Sequence, residues 1–143
     1  MRMVHIWADV EDDWRPSSAR AAHKHRKSGD TSIGVGSLSS LKRVFGRLKN
    51  THVPLHRMDF HTHGGPGGLA IGNEWLGIDT VREFHGHKFE TVFARNARIF
   101  FHGCNVAERA VGELFLALCG VIFLNKGGGR VGGSSTAGYM DPI

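Results

Sequence analysis

The chain has 143 residues, 41% of them apolar, with 20 Gly, 10 His and 2 Cys, which suffices for one hydrophobic core and excludes both a disordered chain and a disulfide scaffold. Its longest uninterrupted apolar run, residues 114–124, is too short to cross a bilayer, and Asp9, Glu11, Asp12 and Asp13 close behind the first apolar segment exclude a signal peptide. The formal charge of +5 comes from residues 1–58, with 11 Lys or Arg against 5 Asp or Glu, while residues 59–143 hold 7 against 8. Without a zinc-finger, basic-zipper or aromatic RNA-binding signature, that excess reads as a solvated face and not as a nucleic-acid surface. The expected compartment is the cytoplasm, or wherever a larger system exports the chain.

In chain order, residues 3–8 alternate and are rich in Val, Ile and Trp, which predicts a strand. Residues 11–37 lack periodicity and mix Pro, Ser, Gly and charge, which predicts a mobile basic loop. Leu41, Val44, Phe45 and Leu48 follow helical spacing and predict a helix over 39–49 with Ser39 or Ser40 as N-cap. Residues 53–63 read as a strand running into Gly64-Gly65-Pro66-Gly67-Gly68, and 69–71 with 74–76 as a hairpin around Gly72-Asn73. A helical turn capped by Asp79 is expected over 79–84. Ile99, Phe100 and Phe101 predict a strand over 97–102, buried on both faces. A helix is expected from Val106 to Lys126, with a strand break at Gly120 as the alternative, and a last strand over 130–135. The alternation predicts one α/β domain over 1–143, a three-layer α/β/α sandwich on a mostly parallel sheet with helices on both faces.

Sites in such sheets form at the carboxyl ends of strands. Two predicted strands end in unusual residues, His61-Thr62-His63-Gly64-Gly65 and His102-Gly103-Cys104-Asn105. A thiol attacks as thiolate, and a neighbouring imidazole can take its proton, so Cys104 and His63 form a candidate nucleophile and base. The glycines beside them leave amides open to an oxyanion, and a helix after Cys104 would favour the thiolate. The bland alternative is a structural Cys and a hydrogen-bonded His. Cys119, among Leu118, Gly120 and Val121, reads as core. A competing reading is metal: His61 and His63 point to one side of a strand and could chelate an ion, whereas His23 and His25 sit in the basic segment. The glycine clusters match neither a Walker loop nor a dinucleotide fingerprint, so they read as close backbone approach by a ligand or as tight turns.

The run His63-Gly64-Gly65-Pro66-Gly67-Gly68-Leu69-Ala70-Ile71-Gly72-Asn73, followed by Phe101-His102-Gly103-Cys104-Asn105-Val106-Ala107-Glu108 and Gly112-Glu113-Leu114-Phe115, resembles caspase-like (clan CD) cysteine peptidases. It is most similar to the bacterial DUF4347-type domains and, more distantly, to the self-processing cysteine protease domains of large bacterial toxins. The resemblance covers roughly residues 58–138. It implies a caspase-like sandwich with His63 and Cys104 as the catalytic dyad, the amides of Gly64 and Cys104 toward the oxyanion, and Gly103, Asn105, Gly133, Ser134 and Ser135 along the substrate groove. Asp59 and Asp141 are the acidic residues that could select a basic side chain. The expected function is a cysteine endopeptidase without a cofactor, acting on a protein or peptide, itself or a neighbouring polypeptide, and not on a membrane. Two alternatives stand beside it: a non-catalytic peptide-binding or assembly module on the same fold, and a metal-dependent hydrolase built on His61 and His63.

Overall fold

The computed structural model describes residues 2–8 and 30–135. Five strands form one sheet: β1 (Met3–Ala8), β2 (Thr31–Val35), β3 (Leu55–His61), β7 (Phe93–His102) and β8 (Gly129–Gly133). Their order is β2-β1-β3-β7-β8, and every neighbouring pair is parallel. Between β3 and β7 the chain makes a small antiparallel sheet of β4 (Gly64–Gly65), β5 (Gly68–Ile71) and β6 (Glu74–Leu76). The helices are α1 (Leu38–Asn50), α2 (Ile78–Val81) and α3 (Arg109–Phe123), with 3-10 turns at Arg82–Phe84 and Phe89–Val92. The protein is an α/β sandwich built on a parallel sheet flanked by helices, as its alternating pattern predicts. Among the described residues, no helix is long and apolar enough to cross a membrane.

Strand alternation divides the sheet into two unlike faces. Phe60, Ile99 and Phe101 point to one face and meet Leu41 and Phe45 of α1 and Phe123 of α3. There the Phe45 ring stacks on Phe123 at 4.9 Å and 13°, and Phe101 lies 5.3 Å from Phe115 of α3. Right-handed crossovers from β2 to β3 and from β7 to β8 lay α1 and α3 on this same face. Each ring buried there contributes roughly 1.5–3 kcal/mol. The second helical layer expected on the opposite face is not among the described residues, since β1 and β2 are joined by residues 9–29.

Several element ends differ from those predicted. The basic loop expected over 11–37 lies outside the described residues as far as 29, but Thr31–Val35 is strand β2. Helix α1 starts one residue earlier because Ser37 is the cap: its side chain accepts from Ser40 N at 3.0 Å, while Ser40 Oγ accepts from Ser37 N at 3.0 Å. That reciprocal capping box uses Ser40 as the partner and leaves Ser39 outside it. In α2 the cap is Gly77 and not Asp79, with Thr80 Oγ1 accepting from Gly77 N at 2.8 Å. Helix α3 starts at Arg109, not Val106, because Glu108, at φ −74° and ψ 142°, is extended and stands as its cap. It ends at Phe123, and Gly120 lies inside it without a break.

Candidate functional site

The carboxyl ends of β3, β7 and β8 meet at one end of the sheet. His61 of β3 is the register partner of His102 of β7, so His63 and Cys104 each stand two residues past a matched pair. The β3 exit is held by the small sheet: Thr62 Oγ1 donates to Ala70 O at 2.6 Å, and Ala70 N donates to His63 O at 2.8 Å. Since His63 and Ala70 form a hydrogen-bonded pair, the next pair, Gly64 and Leu69, turns its N–H groups outward, and the Gly64 amide faces away from β5.

Close approach of the two exits requires glycine. A Cβ on Gly103 would lie 2.9 Å from Thr62 O and 3.1 Å from Gly64 N, and one on Gly64 would lie 2.6 Å from Val106 Cγ2 and 3.3 Å from Cys104 O. Gly67 N donates to Val106 O at 3.0 Å, and Ala107 N to Ser134 O at 2.9 Å, which ties the hairpin and the β8 exit to the turn at 104–107. His63, Gly64, Gly103, Cys104, Asn105, Gly133 and Ser134 therefore collect around one end of the sheet, and exposed Ser135 follows. His63 and Cys104 are half-buried. Cys119 is fully buried in α3, and burial pushes its thiol far above the ordinary range. The expected helix field at Cys104 is weakened, because α3 begins five residues later and such fields fade within a turn.

The polar face of the sheet carries a second constellation, which the sequence reading did not single out. Asp59, 1% exposed, accepts from Arg57 Nε at 2.7 Å on Oδ1, from Arg57 Nη2 at 3.1 Å on Oδ2, and from His102 Nε2 at 2.6 Å on Oδ2. Burial alone would raise the Asp59 pKa, but the hydrogen bonds and charges of His102 and Arg57 outweigh it and hold the carboxyl below its ordinary value. Arg57 is raised in turn, chiefly by its hydrogen bond to Asp59. The His102 ring stacks on His61 at 4.7 Å and 4°. His61 Nε2 is 2.9 Å from His5 Nδ1, and His5 Nε2 is 3.3 Å from Asp30 Oδ2.

This network corrects two expectations. Asp59 is committed to Arg57 and His102 and is not open to a substrate side chain, while Asp141 lies outside the described residues. The histidine that joins His61 is His5: His5, Asp59 and His61 bring ligand atoms within 4.8 Å of one another. His63 stands beyond the strand end and is not in that group, and His23 and His25 lie outside the described residues. The signal was present in the sequence as polar residues at every second position of β3, Arg57, Asp59 and His61, with Arg98 and His102 on the same side of β7 around Phe100.

The profile of a family described as Domain of unknown function (DUF4347) matches residues 33–122, from β2 through most of α3. No curated protein matches the chain.

Proposed function

The chain belongs to the DUF4347 family, and on that premise we propose that it is a cysteine endopeptidase of caspase-like type. The observation that carries this reading is the meeting of the β3 and β7 exits, with His63 and Cys104 two residues beyond the matched His61 and His102 and glycines pressed together between them. Cys104 Sγ attacks the scissile carbonyl carbon as thiolate. The carbonyl oxygen, now negative, is met by the amides of Gly64 and Cys104. His63 gives its proton to the leaving amine, the C–N bond breaks, and a thioester to Cys104 remains. Water, its proton taken by His63, then hydrolyses the thioester and frees the acid. Gly103, Asn105, Gly133, Ser134 and Ser135 flank the extended substrate, a protein or peptide that is either this chain or a neighbouring polypeptide.

The test is turnover of a broad peptide library by wild type and three variants. Cys104→Ala and His63→Ala are expected to abolish it together, as residues that act as a unit do, and Cys119→Ala is expected to retain it. Turnover by Cys104→Ala overturns the peptidase reading. A wild type that cuts nothing but retains peptides from the same library would make the chain a peptide-binding module on this fold.

A further inference from the structure

The buried histidines of the polar face are not used by the peptidase chemistry. We propose that His5 Nδ1, His61 Nε2 and the Asp59 carboxylate form a binding site for one zinc-class divalent cation. The site is independent of the dyad and stands or falls separately from it.

Three features argue for a cation over a hydrogen-bonded cluster alone. The first is the scaffold. His5 and Asp59 are register partners on adjacent parallel strands, and His61 is two residues further along β3, so all three project from one rigid face. Their donor atoms lie within 4.8 Å of one another, and the side chains are 0–1% exposed. A tetrahedral ion with bonds of about 2.0–2.2 Å needs donors about 3.3 Å apart. The two nitrogens, at 2.9 Å, would part by a few tenths of an ångström, and the Asp59 oxygen, within 4.8 Å of both, would draw in toward the ion.

The second is the surroundings of two of the donors, His5 and Asp59. A ligating imidazole turns its other ring N–H toward a carboxylate, and a ligating carboxylate is itself hydrogen-bonded. His5 has Asp30 at its Nε2, and Asp59 is held by Arg57 and His102. A carboxylate offers about four acceptor positions; Arg57 and His102 fill three at Asp59, and one remains on Oδ1.

The third is proton count. With Asp30 accepting from His5 Nε2, His5 Nδ1 presents its lone pair, and His61 Nε2 donates to it. A cation takes the place of that bridging proton, which is released on binding. Three protein ligands leave a fourth position for water. The ion would clamp β1 to β3 directly beneath the exit that carries His63.

The experiment is equilibrium dialysis of the untagged chain against zinc, with cobalt(II) absorption as the readout of ligand type. Expected are one tight ion per chain and a tetrahedral cobalt spectrum without a thiolate band. His5→Gln and His61→Gln should weaken binding at least ~100-fold, since each loses a donor, and Asp30→Asn should weaken it about 10–100-fold by releasing the His5 ring. His63→Ala and Cys104→Ala should bind as wild type does. A thiolate band, or loss of the ion in Cys104→Ala or His63→Ala, would assign the ion to the strand exits and overturn the proposal, as would a wild type that takes up no ion. The Asp30→Asn change and the wild-type spectrum keep the test sharp even if the buried histidine variants do not fold.

Discussion

The two faces of the central sheet are made by the same strands and solve opposite problems. On the helical face, Phe60, Ile99 and Phe101 meet Phe45, Phe115 and Phe123, and stability comes from ring contacts. On the polar face, one residue away along each strand, Arg57, Asp59, His61 and His102 with His5 of β1 are held by hydrogen bonds and ring stacking. At the Arg57 end of this network, Arg57, Arg98 and Arg130 stand side by side on three neighbouring strands and line a groove of about 330 Å³ with Phe100 and Gly132. An apolar face tolerates substitution of one ring by another of similar volume, whereas a polar network requires each donor to keep its acceptor. The first face holds the fold together, and the second concentrates titratable chemistry under the strand exits.

The largest effect separating the faces is expected at Phe45, which stacks on Phe123 and Phe89 and meets Phe84 and Phe93. Phe45→Ala should lower the unfolding free energy by about 3–5 kcal/mol, transfer and cavity costs together, read from urea titration. A loss under about 1 kcal/mol would mean that the ring cluster is not the centre of the core.

On the polar face the corresponding change is Asp59→Asn, which strips the charge that holds Arg57 and His102. Because Arg57 is partly exposed, the expected loss is about 2–3 kcal/mol at neutral pH, on the scale of charged hydrogen bonds. The sign with pH follows from the depressed carboxyl. A group with a lowered folded pKa contributes fully above its unfolded value, about 3.9, and loses that contribution as pH falls through the lower folded one. The gap between wild type and Asp59→Asn should thus be constant from neutral pH down to about 5 and close at more acid pH. A gap that widens on acidification would contradict the ion pair.

Much of this organisation was legible in the sequence, and the failures have physical causes. Strand β1 has its predicted bounds, and helix α1 and the β5–β6 hairpin lie within a residue of theirs, because alternation, helical spacing and a Gly-Asn turn are local signals. Strand β2 was hidden because Thr31-Ser32-Ile33-Gly34-Val35 has a glycine where a strand usually has a side chain. The reason is tertiary: a Cβ on Gly34 would lie 2.6 Å from the Trp7 ring that covers it. The polar network was missed for a different reason. Reading residues 97–102 as a strand buried on both faces hid the polar side of the sheet, when Arg98 is exposed and the two-residue spacing from Arg57 to His61 already marked one face as polar. The glycine-flanked exits were found because their residues are close in sequence, whereas His5, Asp30, His61 and His102 meet only through strand order.

Between the faces lies the contact of the two strand exits, and Gly103→Ala tests it. The added methyl would press on Thr62 O at 2.9 Å and Gly64 N at 3.1 Å, both backbone atoms that cannot swing aside. Stability should fall by about 1–3 kcal/mol, the usual range for forced overpacking. Any peptide turnover should fall further, on the order of 100-fold, because a displacement near 1 Å at reacting groups has that effect. Equal and small losses in both would mean that the exits part without consequence for the site.

The smallest effect has the opposite sign and comes from the helical face. Gly46 lies in the middle of α1, and a Cβ there meets nothing within 4 Å. Glycine inside a helix is less favourable than alanine by about 0.5–1 kcal/mol, because its unfolded chain is freer and its helical backbone gains no side-chain cover. Gly46→Ala should therefore raise the unfolding free energy by about that amount without touching either face of the sheet. The matched control is Gly112 in α3, where a Cβ would fall 2.4 Å from the Ala107 carbonyl carbon. That carbon belongs to the turn that also carries Cys104, so Gly112→Ala has to displace backbone next to the strand exits. The same substitution in two helices should thus stabilise at one site and destabilise at the other in parallel urea titrations. If both stabilised, the 104–107 turn would not be packed against α3, and the geometry of the Cys104 exit would need a different support.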